Sequence, residues 1–298
     1  MTPGNDGLGD SAVAAPAKIR TAVVFTHTRP EQTSQALGEA RVAAEAAGCR
    51  LVARREELEK HGEAAAGIEP LSVGDRPDLC LVLGGDGTIL SALRAFANTG
   101  VPVFGVNYGT VGFLAAVERE DLTEGLRRAF AAEFEVMALP ALEATVEADI
   151  PLALNDVSLI RRHQGRVAEL SYRLGGKEVG HVRCDGLVAA TPAGSTGYNL
   201  ANQGPILAWG VKGFVVSFIA PHTLTARPLV VAPNDVLSVT NAAGRDPVEV
   251  VLDGEHVAEL PSGTEMEIRF RDGVGRLAQL PGANFYRRTR DKFGRIAH

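Results

Sequence analysis

The stretch that most restricts this chain is an acidic glycine turn, Gly84-Gly85-Asp86-Gly87-Thr88, placed between two segments of different periodicity. Leu79-Cys80-Leu81-Val82-Leu83 is continuously apolar, as a strand covered on both faces requires. Beyond the turn, Ile89, Leu90, Leu93 and Phe96 recur at helical spacing, with Thr88 placed to cap the helix N-terminus. Three glycines in four positions predict a backbone that bends through positive φ and comes close to a ligand, while the helix amides beyond favour an anion. Asp86 is the departure. A carboxylate inside a phosphate loop repels phosphate unless it accepts a hydroxyl proton or meets a cation, so it points to catalysis. Read alone, the motif also fits a plain strand-to-helix turn in which Asp is a good turn residue. The chain has no Gly-x-x-x-x-Gly-Lys-Ser/Thr loop, and Gly-x-Gly-x-x-Gly is not completed after Gly87.

A second cluster narrows the reading. Asp185-Gly186-Leu187-Val188-Ala189-Ala190-Thr191-Pro192-Ala193-Gly194-Ser195-Thr196-Gly197-Tyr198 reads as a strand entering a hydroxyl-rich loop. There Ser195 and Thr196 offer hydroxyls, Tyr198 a ring with a polar tip, and Asp185 an acceptor. Asn155-Asp156 adds two polar groups to another apolar stretch, where an unpaired carboxylate is costly.

In this order the clusters resemble the NAD kinase family, which carries a Gly-Gly-Asp-Gly-Thr loop, an Asn-Glu pair and a similar Asp-Gly-Leu…Thr-Pro-Thr-Gly-Ser-Thr-Ala-Tyr stretch. Gly204-Pro205-Ile206, Ala226-Arg227-Pro228-Leu229-Val230, Asp253-Gly254-Glu255 and Arg290-Asp291-Lys292-Phe293-Gly294 are further similar pieces. The resemblance implies phosphorylation of the adenosine ribose 2′-hydroxyl of NAD or NADH, with ATP or polyphosphate as donor and Mg²⁺ as counter-charge. It implies Asp86 as the catalytic acceptor, with Gly87 giving the dinucleotide access to the backbone. Asn155 and Asp156 would then bind adenine or ribose, and Asp185 the nicotinamide side. Thr196, Gly197 and Tyr198 would line the pocket, Phe113 would pack on a base, and Arg183 would meet the pyrophosphate. Glu255 stands where the family often has Gln. A carboxylate at a helix start is favoured as its anion, which makes Asp86 a weak base and proton transfer late. The resemblance further implies a homodimer or homotetramer.

Asp156 for the usual Glu shortens the reach by one methylene, and Gly197 replaces Ala. Asn202-Gln203 replaces a small pair, and Ser91 stands where many members are basic. These departures bear on NAD against NADH and on the donor. Two alternatives stay open: a lipid kinase of the diacylglycerol or sphingosine type, which shares an acidic glycine loop, and a regulator that holds NADP without turnover.

A length of 298 residues with 45% hydrophobic content supports a substantial core in one large or two medium domains. The formal charge of −6 argues against a dedicated nucleic-acid or membrane surface. Without an apolar run of about 18 residues or a signal-like start, a cytoplasmic location is expected. Cys49, Cys80 and Cys184 lack Cys-x-x-Cys spacing and read as reduced core residues, and the histidines give no zinc pattern.

Residues 1–18 read as a disordered tail. From 19 to 137, strands (21–26, 79–83, 101–106) alternate with helices (31–47, 88–98, 121–132), which predicts an α/β N-terminal domain with a mainly parallel sheet. From 138 to 282, short alternating strands predict an antiparallel β-sandwich-like, dinucleotide-binding C-terminal domain, with 177–190 as one strand. The cationic end, 283–298, carries Arg287, Arg288, Arg290, Lys292 and Arg295. Its charge pattern suits a solvated segment, whereas the resemblance has it return to the first domain.

Overall fold

The computed structural model describes residues 12–109, 112–145, 151–162, 166–242, 244 and 246–294. Two compact units divide the chain, one comprising residues 1–138 with 275–298 and the other 139–274. Most of the expected tail, and Arg295, lie outside the described residues. Within the tail's described part, Ala12–Val13 pairs antiparallel with Met137 and Val136.

In the first unit, strands Glu69–Pro70, Arg50–Ala53, Thr21–Thr26, Leu79–Gly84 and Val103–Asn107 lie in that order, all parallel. Leu277, on the long strand Glu265–Gln279, pairs parallel with Val103 on the far side. The chain leaves Thr21–Thr26 for Arg50–Ala53 on one flank and then crosses to Leu79–Gly84 on the other. This order makes a topological switch point, where the carboxyl ends of parallel strands leave a crevice for ligands. The acidic loop follows Leu79–Gly84 directly.

Helices cover the sheet because their apolar positions share a face. Ser34–Ala46 buries Ala36, Leu37, Ala40 and Ala44, and Leu122–Phe130 buries Leu122, Leu126, Ala129 and Phe130. Leu79, Leu81 and Leu83 are fully buried, each contributing about 1.5–3 kcal/mol by removal from water. Among the elements that went unexpected are the strands Arg50–Ala53 and Glu69–Pro70 and the helix Arg55–His61.

The second unit holds two antiparallel sheets. One runs Leu229–Val231, Phe214–Ile219, Gly186–Ala190, Asp156–Arg161, Val248–Leu252, Glu255–Leu260. The other joins Lys177–Cys184, Ala168–Leu174, Leu237–Asn241 and the first part of Glu265–Gln279. A single core takes side chains from both, and Tyr172 of one sheet meets Phe218 of the other at 5.4 Å between ring centroids. The single strand expected over 177–190 is two strands in different sheets, broken at Asp185. Its N–H already donates to Ile219 O and its carbonyl accepts from Arg161 N, so the chain has changed sheets at that residue. All three cysteines are free and buried, and burial pushes the Cys49 thiol up to about 11 and Cys184 to about 12.

Candidate functional site

The acidic loop departs from expectation in two ways. The helix is Asp86–Ala95, so it starts two residues before Thr88, with Gly85 as an extended N-cap (φ −86°, ψ −176°). Gly85 O accepts from Thr88 N at 3.0 Å and Ile89 N at 3.1 Å, which places Thr88 inside the first turn. Nor do Gly84, Gly85 and Gly87 have positive φ. Their smallness serves packing instead. A Cβ on Gly84 would lie 2.6 Å from Thr88, and one on Gly109 would lie 3.1 Å from Gly85 Cα, so two backbones pass in near contact. Around Gly87 a Cβ would meet nothing within 4 Å, leaving its backbone approachable.

Asp86 is held from the opposite loop. Phe113 N donates to its Oδ2 at 2.7 Å and Leu114 N to its Oδ1 at 3.1 Å. A Cβ on Gly112 would sit 2.2 Å from Oδ1, so only glycine allows the carboxylate to press against this backbone. Each oxygen keeps lone-pair capacity for a further hydrogen bond. The result is a carboxylate of fixed direction at a helix start, where negative charge is favoured. Asn107, at the end of its strand, donates to Glu118 Oε2 at 2.8 Å and accepts from Gly109 N at 3.0 Å, which shapes the adjoining turn. Phe113, expected to pack on a base, is buried. Its ring lies 5.7 Å from Phe293 and 6.4 Å from Phe285, with Lys292 Nζ 4.3 Å from its centroid.

In the second unit the structure brings together Asn155, Asp156 and the loop 191–198. Their organiser is Asp253, to which sequence reasoning gave no role. Its carboxylate accepts from Leu154 N at 2.9 Å, Asn155 N at 2.7 Å and Asp156 N at 3.0 Å, from a residue at φ +50°. An Asp-Gly pair before a strand reads as an ordinary turn, and although Asp253-Gly254-Glu255 is one of the pieces that resemble the family, the resemblance gave Asp253 no role. Asp156 is 8% exposed. Burial, and then the charge of Asp253, push its carboxyl up to about 7. Thr191 N donates to Asn155 O at 2.9 Å, and Thr191 Oγ1 donates to Leu154 O at 2.7 Å while accepting from Gly194 N.

Ser195, expected to offer its hydroxyl to a ligand, spends it inside the loop. It is fully buried, donates to Pro192 O at 2.7 Å and accepts from Leu207 N at 2.9 Å. Thr196 is half-buried and donates to Ala193 O at 3.2 Å, whereas Gly197 and Tyr198 are exposed at the rim. Burial raises the Tyr198 hydroxyl, and the charges of Asp156 and Asp185 add to this. Beside the rim, Asn202, Gln203, Phe218, Thr223 and Arg227 line a cleft of about 680 Å³. Asp185 is fixed by Arg161, whose Nε donates at 2.7 Å. Arg183 instead forms an exposed pair with Glu169 at 3.3 Å, and Glu255 is exposed at the start of its strand. Among the described residues no three His, Cys, Asp or Glu side chains converge on a metal-sized site.

Comparison with known proteins agrees with both halves. The ATP-NAD kinase N-terminal domain matches residues 39–134, and the ATP-NAD kinase C-terminal domain matches 154–276. The NAD kinase of Bifidobacterium longum (strain DJO10A) is 34% identical over 288 residues, 92% of this chain and 82% of that protein. That of Symbiobacterium thermophilum is 37% identical over 221 residues, 72% of this chain and 78% of that protein. Among solved structures, yeast NADH kinase complexed with NADH shares the fold, with a TM-score of 0.84 at 20% identity, covering 96% of this chain and 94% of its own. An NAD kinase from Archaeoglobus fulgidus in complex with ATP gives 0.68 at 26% identity, covering 92% and 97%. The ordered motifs, both domain matches and identity above 30% along nearly the whole length have one reading: the chain belongs to the NAD kinase family.

Proposed function

We propose that this protein transfers a phosphoryl group from ATP to the 2′-hydroxyl of the adenosine ribose of NAD, or of NADH, giving the 2′-phosphorylated dinucleotide. The observation that carries this reading is the Asp86 carboxylate, fixed by the amides of Phe113 and Leu114 at the start of a helix that follows a parallel strand. Such a group is an acceptor of set direction. It aligns the hydroxyl as the bond from 2′-oxygen to phosphorus forms and the bond to the leaving nucleotide oxygen breaks, and the hydroxyl proton passes to Asp86 late. Phosphoryl transfer proceeds through a loose transition state, so positioning and charge neutralisation supply most of the catalysis.

The second unit supplies groups suited to the dinucleotide. Asp156 and Asn155 offer hydrogen bonds to adenine or ribose, Asp185 to the nicotinamide side, and Thr196, Gly197 and Tyr198 form an exposed wall. Gly87, with open space about it, admits the ligand to the backbone. Arg183 reaches a pyrophosphate only by leaving Glu169, and Phe113 reaches a base only by leaving its aromatic neighbours, so both are assigned weaker roles, as is Glu255. Mg²⁺ would come bound to the donor's phosphates, since this ion ordinarily keeps several waters and takes one or two carboxylates rather than a protein cage. Bound there, it would offset phosphate charge, and Asp86 is the one carboxylate of the loop 84–88 that could meet it. A homodimer or homotetramer belongs to the same reading. The lipid-kinase alternative is not favoured by the domain matches.

The test is a matrix of NAD or NADH against ATP or polyphosphate, with Mg²⁺ and with a diacylglycerol arm, product being read by an NADP-specific dehydrogenase. NADP formation supports the proposal, and phosphorylation of the lipid alone would refute it.

A further inference from the structure

Asp86 is set by the amides of Phe113 and Leu114, and the carbonyls of Phe113, Leu114 and Ala115 in the same segment also accept hydrogen bonds. Arg288 Nη1, from the helix Phe285–Phe293, donates to Phe113 O at 2.7 Å and Ala115 O at 2.6 Å. Gln279 Nε2 donates to the carbonyl between them, Leu114 O, at 2.8 Å. Arg288 Nη2 in turn donates to Gln279 Oε1, which fixes the orientation of that amide. Gln279 is fully buried. We infer that Arg288, acting with Gln279, is a positioning residue for Asp86: its bond to Phe113 O grips the far side of the Phe113–Leu114 peptide, whose N–H aims the carboxylate, and the bonds to Leu114 O and Ala115 O hold the next two peptides of the same segment.

The inference rests on the reading of Asp86 proposed above. Its physical basis is twofold. A peptide whose carbonyl accepts from a guanidinium is polarised, so its neighbouring N–H is a stronger donor, and chains of such bonds reinforce one another. The guanidinium also has five donors in a rigid fork, and bridging two carbonyls and an amide uses that geometry; an ammonium cannot reproduce it. Burial lowers the proton affinity of Arg288, and the charges of Asp86 and Glu118 oppose that effect, so this cation is placed in the field of the catalytic carboxylate. The helix has a built start, with Asn284 Oδ1 accepting from Tyr286 N at 2.8 Å and Arg287 N at 3.3 Å. Sequence alone could not separate Arg288 from its neighbours, because Arg287 and Arg290 flank it in one basic run.

A double-mutant cycle tests this, using the full chain with NAD, ATP and Mg²⁺. Arg288→Met should lower kcat about 10-fold to 100-fold while KM for NAD and for ATP stays within about threefold. Arg288→Lys should fall between parent and Met. In an Asp86→Asn background, either Arg288 substitution should cost less than about threefold more, because the group being aimed is gone. Effects that multiply in the double variant, or a raised KM with parental kcat, would overturn the inference and leave Arg288 a general support of the fold. Melting curves accompany each protein, and should Arg288→Met not fold, Arg288→Lys completes the same cycle. Failure of the underlying reading shows separately: a parent that makes no NADP, or Asp86→Asn at parental turnover, is visible before Arg288 is touched.

Discussion

Burial and the neighbouring Asp253 push the Asp156 carboxyl from 3.8 up to about 7, so near neutrality this group is divided between acid and anion. The folded protein holds that proton more tightly than the unfolded chain does. Its contribution to stability is therefore fully present below about pH 4 and is lost as the pH rises through about 7. Asp156→Asn should accordingly be more stable than the parent at pH 8, on the order of a few kcal/mol, with the advantage vanishing toward pH 4. Urea melts at a series of pH values read this directly, and an advantage independent of pH would contradict it. The use proposed for Asp156 is binding the dinucleotide. Asp156→Ala should raise KM for the dinucleotide by roughly 10-fold to 100-fold, more than it lowers kcat. Acceptors set in apolar sequence stood out, and of Asn155, Asp156 and Asp185 the structure places Asp156 at the start of a strand and the other two directly beside strand ends. What those acceptors lean on was not legible in the sequence. Asp253 and Arg161 look like a turn residue and a surface cation until the register places them, and Ser195 looked available to a ligand because hydroxyl composition does not reveal its partners.

The loop 191–198 contains two glycines with opposite requirements. A Cβ on Gly194 would lie 2.0 Å from Asn155 O, so Gly194→Ala must displace the backbone that carries Asn155 and Asp156. At Gly197, exposed and with negative φ, the nearest atom is Gly194 O at 3.4 Å, so a side chain fits the fold. Gly194→Ala is expected to cost stability by about 1–3 kcal/mol together with binding. Gly197→Leu is expected to melt with the parent yet lose saturable NAD binding by calorimetry, because the added side chain fills the exposed wall. Parental affinity in Gly197→Leu would remove this wall from the site.

The unexpected helix Arg55–His61 also carries a testable device. His61 is 8% exposed, its ring nitrogens 2.7 Å from Thr26 Oγ1 and 3.1 Å from Ser34 Oγ, which ties the first strand to two helices. Burial first, then Lys60, lower its proton affinity, with Glu57 opposing. Stability from this source is full above the unfolded value of 6.5 and is lost as the pH falls below it. His61→Gln should therefore flatten the drop in melting temperature between about pH 7 and pH 5; an unchanged drop would show that other groups cause it. Arg-Glu-Glu-Leu-Glu-Lys-His has too few apolar positions for a periodicity argument, which is why this helix was missed.

Across the whole molecule, the change from alternating strand and helix to short strands with turn residues marked the parallel and antiparallel halves, because buried and half-buried sheets demand different patterns. No described helix is long and apolar enough to cross a membrane. Less legible was the interruption of the first unit, to which the chain returns at residue 275 within a strand that shows no composition break. The central claim is that Asp86 aims the attacking hydroxyl of a dinucleotide. Its most direct test compares parent and Asp86→Asn under saturating NAD, ATP and Mg²⁺, with NADP formation and NAD affinity measured on the same preparations. The account predicts a fall in turnover of about 10²-fold to 10⁴-fold with dinucleotide affinity nearly unchanged. Equal turnover in the two proteins would contradict it.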